Sequence, residues 1–534
     1  MKKITKRSTA LILSALMLTG ALSSCGGNEN GGSDASNLAT GEIEYPIETD
    51  QTITYWGELN GIVSAQVTTL NDTEFAKQLI KETGINVEFI HPPQGQVGEK
   101  FNVMMASGEF PDIVSYGLSG TQEGVDELIK KGYVFEMTEE FMQKYAPNFY
   151  KKIQSDPEFK KSVMSSEGKF YGFSKSREDY SLATFGGIYM RSDWLKELGM
   201  EVPQTIDELH DVLVAFKDKK GATAPLSMTK ANLIHGNYLL GAYGVGADFY
   251  VDNDTVKYGP LQPGYREFLA TMAQWYKEGL IDKNVAAIND EEKKAQFLRG
   301  ETGVAAGNVG ADLGNILTAK KDEAFEVAGI PYPTLNKGDK PEYGQCDYIY
   351  YEPTFWISAT SKNKELAARL LDYGYSEKGN MLYNFGIEGV TYEMKDGEPV
   401  YTELITNNPE GKSPTNVLSL YTQCTYGGPF VMDKRFFKQQ YPFDAQKSAL
   451  DAWGATNQKE HILKGATRIT GDENSEYSTI MTDISSRVDE VVVKIIMGIE
   501  PIESFDALVE QIKGMNIERA IEIKQLGYDR YNAE

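Results

Sequence analysis

Cysteine and histidine are scarce in this chain, three and four residues among 534. Three cysteines cannot build a disulfide framework. His91, His210, His235 and His461 lie far apart in sequence, which leaves little room for histidine-based metal or triad chemistry. Basic residues are outnumbered, 53 against 77 acidic, for a formal charge of −24. Such a chain repels phosphate backbones, which excludes nucleic acid as a partner. Beyond the N-terminus no apolar run approaches the roughly 20 residues that span a bilayer. Catalytic signatures are also lacking. There is no G-x-S-x-G elbow and no H-E-x-x-H. Gly411-Lys412-Ser413 ends like a phosphate-binding loop, but Thr406 stands where the first glycine belongs. Gly241, Gly244 and Gly246 are in the wrong order for a dinucleotide fingerprint. Asp252-Asn253-Asp254 starts like a calcium loop, but Val256 and Tyr258 occupy the next liganding positions. The expectation is a protein that is not an enzyme and carries neither cofactor nor metal.

What is present begins with a targeting signal. Lys2, Lys3, Lys6 and Arg7 precede a short uncharged, mostly apolar run, which closes on Leu22-Ser23-Ser24-Cys25. A basic start, a short apolar core and small residues read as a secretory signal over residues 1–24. Leu-Ser-Ser-Cys resembles the lipobox of bacterial lipoproteins, in which Cys25 would be lipidated and become the first residue after cleavage. Removing the signal takes away four basic residues, so the mature chain would carry −28. A surface that acidic does not bind anionic headgroups, and acyl chains alone would hold it to the membrane. Residues 25–47, rich in Gly, Asn, Ser and acid, read as the lipidated cysteine and a flexible tether. Of the later cysteines, Cys346 and Cys424 are either two free thiols or one bridge.

The body is long enough for two to four domains at roughly 100–200 residues each, and its hydrophobic share of 41% is ordinary for a folded protein. Residues 52–56 form a β-type run. Asp72 or Thr73 can cap a helix with Phe75, Ala76, Leu79 and Ile80 on one face, ended by Gly84. Ile85, Val87 and Phe89 alternate as a strand, residues 96–107 read as helix, and residues 111–116 as a third strand. This is βαβαβ, which implies a parallel sheet flanked by helices, with ligands bound beyond the carboxyl ends of the strands. Farther on, residues 168–173, 187–190, 303–306, 325–330 and 348–357 are strand-like. Thr205-x-x-Glu208 is a capping box, residues 251–258 are a hairpin around Asn253-Asp254, and residues 265–279 and 364–375 are helical. Near the end, Phe505, Leu508, Val509 and Ile512 keep helical spacing. The fold class is α/β, with two interleaved lobes.

Aromatic residues are plentiful, with 31 Tyr, 23 Phe and 5 Trp. A Tyr or Trp ring offers a flat apolar face and a polar edge, which suits the C–H faces and hydroxyls of a sugar, although most such rings pack cores. Several segments then resemble one family. They are residues 104–113 (MMASGEFPDI), residues 189–195 (YMRSDWL) with Leu198-Gly199 and Pro203-x-Thr205, residues 275–281 (WYKEGLI), residues 385–392 (FGIEGVTY), and the tail from Ile517 to Tyr531. In that order, behind a lipobox, they resemble the extracellular solute-binding proteins of the family 1 carbohydrate type, in particular the LipO-like lipoprotein branch of Gram-positive bacteria. Where many relatives carry an Asp/Asn-rich calcium-like loop, residues 216–223 read FKDKKGAT, so no calcium site is carried over.

The resemblance implies a two-lobed periplasmic-binding-protein type II fold, each lobe a mixed sheet flanked by helices, closing on ligand in the cleft between them. One lobe would be residues 48–168 plus 300–360 and the other 169–299 plus 361–534, with crossings near residues 169–173, Gly300 and Ser358. The implied function is that of the substrate-binding lipoprotein of an ABC importer, monomeric and anchored outside the cell membrane. It would hand an oligosaccharide to the permease subunits. The alternatives are an importer receptor for a peptide or other non-sugar solute, or a surface glycoside hydrolase. By position, Trp56 and Tyr116 at strand ends, Tyr189 and Arg191 at the start of the second lobe, His235, Tyr238 and Asn308 are candidate ligand contacts. So are Tyr351, Glu352 and Trp356 near a crossing and Glu388 in its glycine-flanked loop. Each has a competing structural reading as core, ion pair or turn.

Overall fold

The computed structural model describes residues 43–119, 121, 123–320 and 324–534, which belong to one compact unit, Thr40–Glu534. The signal, Cys25 and most of the tether lie outside the described residues.

The first sheet forms where the sequence alternates strand and helix. Thr52–Gly57 sits between Asn86–Ile90 and Ile113–Ser115 and runs parallel to both. Asn86–Ile90 turns Val87 and Phe89 inward and its other three residues outward, the period of two that one buried face demands. The helix between the first two strands, Glu74–Thr83, starts where Thr73 accepts a hydrogen bond from the Ala76 N–H. It stops at Gly84, whose φ of 72° is left-handed. A Cβ there would also meet the Ile47 carbonyl oxygen at 2.3 Å. Phe75, Ala76 and Leu79 bury the inner face of this helix, and each large side chain contributes about 1.5–3 kcal/mol. Asp112 ties the layer together. It accepts from the Thr54 N–H and Oγ1, both at 2.9 Å, and from Ser361 Oγ at 2.5 Å. Phe355–Ile357 closes the sheet antiparallel to Ile113–Ser115.

The second sheet has Gly186–Arg191 at its centre, buried along its whole length. Val304–Asn308 and Val327–Ile330 run antiparallel to it on either side, and Leu226–Ser227 pairs parallel with Val304–Asn308. The helix Asp444–Gly454 covers this sheet, and its Trp453 donates to the Ile188 carbonyl at 3.0 Å. That contact needs Gly187, because a Cβ there would lie 2.4 Å from the indole ring. Pro263–Lys277 and the late helices Gly471–Ile496, Glu503–Gly514 and Ile517–Ala533 stack together, with Tyr265 on Phe505 at 5.6 Å. The expected hairpin is present as Phe249–Asp252 and Thr255–Tyr258, with Asn253 and Asp254 both at positive φ. Among the described residues, no helix is long and apolar enough to cross a membrane.

Three chain segments pass side by side between the sheets. Phe173 N–H donates to Phe355 O at 2.8 Å, Arg177 N–H to Ile349 O at 2.7 Å, and Ser176 N–H to Phe430 O at 3.1 Å. The pairings differ from the expected partition. Val304–Asn308 and Val327–Ile330 join the second sheet, so the chain does not cross at Gly300. Lys364–Asp372 packs on Phe355–Ile357 and on Glu139–Tyr145 beside the first sheet, so it does not cross at Ser358 either. The return passage comes later, around residues 430–443. Residues 348–357 are continuous strand only at Phe355–Ile357, and Tyr350 makes a single bridge to Ser176. Residues 168–173 hold only single bridges, at Phe170 and Phe173. The capping box is half made: Thr205 accepts from Glu208 N–H, but the Glu208 carboxylate reaches Gln204 N–H at 2.8 Å.

Candidate binding cleft

The extended passage through residues 175–177 places Lys175 and Arg177 on one side and Ser176 on the other. Facing them is the passage that carries Asp347 and Tyr351. Arg177, with a side chain only 4% exposed, donates through Nη2 to Asp347 Oδ2 at 2.9 Å and through Nη1 to Tyr351 Oη at 2.5 Å. The same Nη1 also holds the Tyr348 carbonyl. Tyr351 Oη in turn donates to Asp347 Oδ2 at 2.7 Å. The Lys175 ammonium sits 4.6 Å from the centre of the Tyr351 ring. Burial, with Arg177 nearby, lowers its pKa to about 8.

Lys175, Arg177 and Asp347 wall a cavity of about 240 Å³ lying where strands of both sheets end. Asn60 reaches it from the loop after Thr52–Gly57, and Asn308 and Gly310 from the end of Val304–Asn308. Thr425 and Tyr426 come from the segment just before the return passage and Gln440 from within it, and Phe185 and Phe437 supply apolar surface. Four polar atoms on its lining side chains are buried without a hydrogen-bond partner: Arg177 Nε, Thr425 Oγ1, Tyr426 Oη and Gln440 Oε1. Each such group costs about 1–3 kcal/mol. Buried polar groups are nearly always satisfied, and four of the thirteen such atoms found among the described residues belong to side chains lining this one cavity.

Asn308 is held rigidly for this role. Its Oδ1 accepts from Gly310 N–H at 2.8 Å and Ala311 N–H at 3.3 Å, so what it can offer the cavity is its amide N–H. Its own N–H bonds to Asp312 Oδ2 at 2.8 Å. Behind it the Lys293 ammonium, fully buried, donates to Ala306 O at 2.7 Å and pairs with Asp290 at 2.7 Å and Asp312 at 3.3 Å.

Two neighbouring cavities share the same wall. One of about 510 Å³ is lined by Tyr348, Glu352, Tyr180, Ile462, Leu463 and Tyr531, among others. Burial raises the pKa of the Glu352 carboxyl, against hydrogen bonds from Ser119, and its Oε2 has no partner. Another, of about 420 Å³, is bounded by His235, Asp248, Tyr348 and His461. His235 Nε2 meets Asp489 Oδ1 at 3.1 Å.

Of the residues expected from sequence, Asn308, Tyr351, Glu352 and His235 line these cavities. The others do not meet them. Trp56 and Trp356 are buried in a cluster with Phe101 and Val114. Tyr116 stacks on Phe101 at 4.0 Å, and its carbonyl accepts from Trp356 Nε1. Tyr189 is buried against Phe297. Arg191 pairs with Asp193 and lies 4.1 Å and 4.5 Å from the Phe325 and Trp194 rings. Tyr238 packs against Tyr332, and Glu388 is exposed on a turn. Position at a strand end indicates proximity to a cleft, but the pleat sends alternate side chains into the helix layer. Sequence reading missed Lys175, Arg177, Asp347, Thr425, Tyr426 and Gln440. The available signal was the pair of cations two apart, just past the expected crossing at residues 169–173. In place of a calcium-like loop, Ile206–Lys220 ends on the left-handed Gly221, and Lys220 pairs with Glu197 at 2.5 Å. Cys346 and Cys424 are both free.

The profile of the bacterial extracellular solute-binding proteins matches residues 68–381. The chain belongs to this family. It is 24% identical over 531 residues to Lipoprotein LipO of Bacillus subtilis (strain 168), covering 95% of each chain. It is 23% identical to the fructooligosaccharide ABC transporter substrate-binding protein FusA of Streptococcus pneumoniae, covering 100% of this chain and 99% of the other. Among solved structures, alginate-binding protein AlgQ2 superposes with a TM-score of 0.76 at 22% identity, covering 91% of this chain and all (100%) of the other. S. pneumoniae FusA in complex with kestose superposes with a TM-score of 0.74 at 21% identity, covering 90% and 100%. These likenesses show the fold of a two-domain solute-binding protein.

Proposed function

We propose that the protein is the substrate-binding subunit of a carbohydrate ABC importer, and that it takes an oligosaccharide in the cavities walled by residues 346–352. The observation that carries this reading is the set of unpartnered polar atoms, Arg177 Nε, Thr425 Oγ1, Tyr426 Oη and Gln440 Oε1, around a cavity also lined by aromatic rings. Sugars need that combination: rings stack on C–H faces, and convergent donors and acceptors fix hydroxyls. Relatives named for fructooligosaccharide and for polygalacturonan binding support the same class. In this reading the two sheets are the cores of two lobes, and the passages at residues 172–177, 349–355 and 430–432 are the hinge. A ligand touching Asn60 from one lobe and Asn308 from the other binds the closed state better and shifts the population toward it. The permease would then recognise the closed form. Cys25 would carry the lipid anchor that holds the protein outside the membrane.

The test is thermal denaturation of the full chain with oligosaccharides, monosaccharides and peptides. A ligand at 100 times its Kd stabilises the folded state by about 2.7 kcal/mol. Stabilisation by particular glycans, with no hydrolysis of them, is the expected outcome. Stabilisation by peptides alone, or turnover of a bound glycan, overturns it.

A further inference from the structure

Among the described residues Lys175, like Arg369 and Lys524, lacks the ion pair that most interior cations have, and of these three it is the one that lines a cavity described above. Lys293 meets Asp290 and Asp312, Arg468 meets Glu534, and Arg191 meets Asp193. Among the described residues the Lys175 ammonium has no carboxylate within 4.0 Å and no hydrogen-bond partner, although the residue is partly buried. Asp347, the only acidic residue lining the 240 Å³ cavity, is committed to Arg177 and Tyr351. The charged lining residues are Lys175, Arg177 and Asp347, so the cavity keeps one net positive charge inside a strongly acidic protein. Beside that charge lie the unpartnered Arg177 Nε and the amide of Asn308. A cation held from water without a counter-charge is costly, and an anion supplied from outside removes that cost.

We infer that the ligand is an acidic saccharide, one of whose monoanionic groups, a uronic acid carboxylate or a sulfate ester, docks on Lys175 in this cavity. A single net positive charge matches a monoanion and not the dianion of a phosphate monoester. The inference rests on the carbohydrate reading above and narrows it to a substrate class.

The experiment is calorimetric titration of the full chain with four probes: trigalacturonate, its methyl ester, a sulfated neutral trisaccharide and the same trisaccharide unsulfated. One of the two acidic probes binds roughly tenfold or more tighter than its neutral counterpart, and which one identifies the anion. Lys175→Met abolishes that preference, whereas Lys175→Arg retains it. Circular dichroism establishes that each variant is folded. Should Lys175→Met not fold, the ester comparison on the unaltered protein still decides. Equal binding of acidic and neutral probes, or equal weakening of both by Lys175→Met, overturns the inference and leaves the carbohydrate reading standing. Binding of no saccharide by the folded protein overturns both.

Discussion

The two cavities that meet at residues 347–352 differ in what their walls leave undone. The larger, about 510 Å³, is faced by Ile349, Ile462, Leu463 and several tyrosine rings, and its one orphaned polar atom is Glu352 Oε2. The smaller, about 240 Å³, gathers four orphaned polar atoms and an unpaired ammonium. Volume alone would favour the larger. The energetics favour the smaller, because each unsatisfied buried group costs about 1–3 kcal/mol that only a polar occupant returns. In the proposed reading, the larger cavity extends a bound chain along its rings, and orientation and selectivity belong to the smaller.

The strongest way to break this comparison is Arg177→Ala. It removes the partner of Asp347 and the donor to Tyr351 and Tyr348. Asp347 is left without its cation but keeps access to water, so chemical denaturation should show a loss of about 1–3 kcal/mol from the broken hydrogen bonds, and ligand binding should disappear. Next comes Tyr426→Phe. Its hydroxyl has no partner in the unliganded fold, so stability should hold or rise slightly while ligand affinity falls about tenfold. A loss of stability equal to the loss of binding would mean that the hydroxyl is structural.

The two cavities should also answer pH in opposite directions. The folded-state pKa of Lys175 is lowered to about 8 from 10.5, so its ammonium burdens the fold below pH 8. The burden lifts as the folded protein loses that proton first. Stability should therefore rise from about pH 8 upward relative to Lys175→Met, which lacks the slope. Arg177 and Asp347 also face the ammonium, and the neighbouring Tyr351, Tyr426, Tyr441 and Cys424 are all held protonated above their ordinary ranges by burial. Glu352 has the reverse sign. Its raised pKa keeps the folded carboxyl protonated where the unfolded one ionises, so stability falls as pH rises through the carboxylate range. Glu352→Gln should flatten that fall. The smallest effect is expected from Leu463→Ala in the larger cavity, with ligand affinity changed about twofold or less, since no directional bond is lost.

Much of the first sheet was legible because its signals are local. Thr73 and Gly84 bracket the helix Glu74–Thr83, and Val87 and Phe89 show their face by period alone. The turn at Asn253-Asp254 was legible for the same reason, since both residues accept positive φ. The second sheet was recognisable strand by strand but not in its membership. Val304–Asn308 pairs with Gly186–Arg191 across more than a hundred residues of chain, and nothing near residue 304 announces which sheet it will join.

The candidate site divides along the same line. Asn308, Tyr351, Glu352 and His235 were expected from their places near strand ends and crossings, and they line the cavities. Trp56, Tyr116, Tyr189, Tyr238 and Trp356 were expected by position too, and packing claimed them. An aromatic side chain buries more area in a core than at a cleft edge. Arg191 found a closer partner in Asp193, two residues away. Lys175, Arg177 and Asp347 went unremarked because a cation in an extended segment looks like solvated surface until a second segment, about 170 residues later, folds against it.

By itself the sequence determined the α/β class, the first βαβαβ unit, the family segments and the shortage of residues for redox or metal chemistry, since these depend on composition and on neighbours a few residues apart. The tertiary structure alone decided which strands share a sheet, where the three passages run, and which polar groups are left without partners. Those outcomes depend on contacts between residues far apart in sequence, and a polar atom becomes an orphan only when distant chain segments have closed around it.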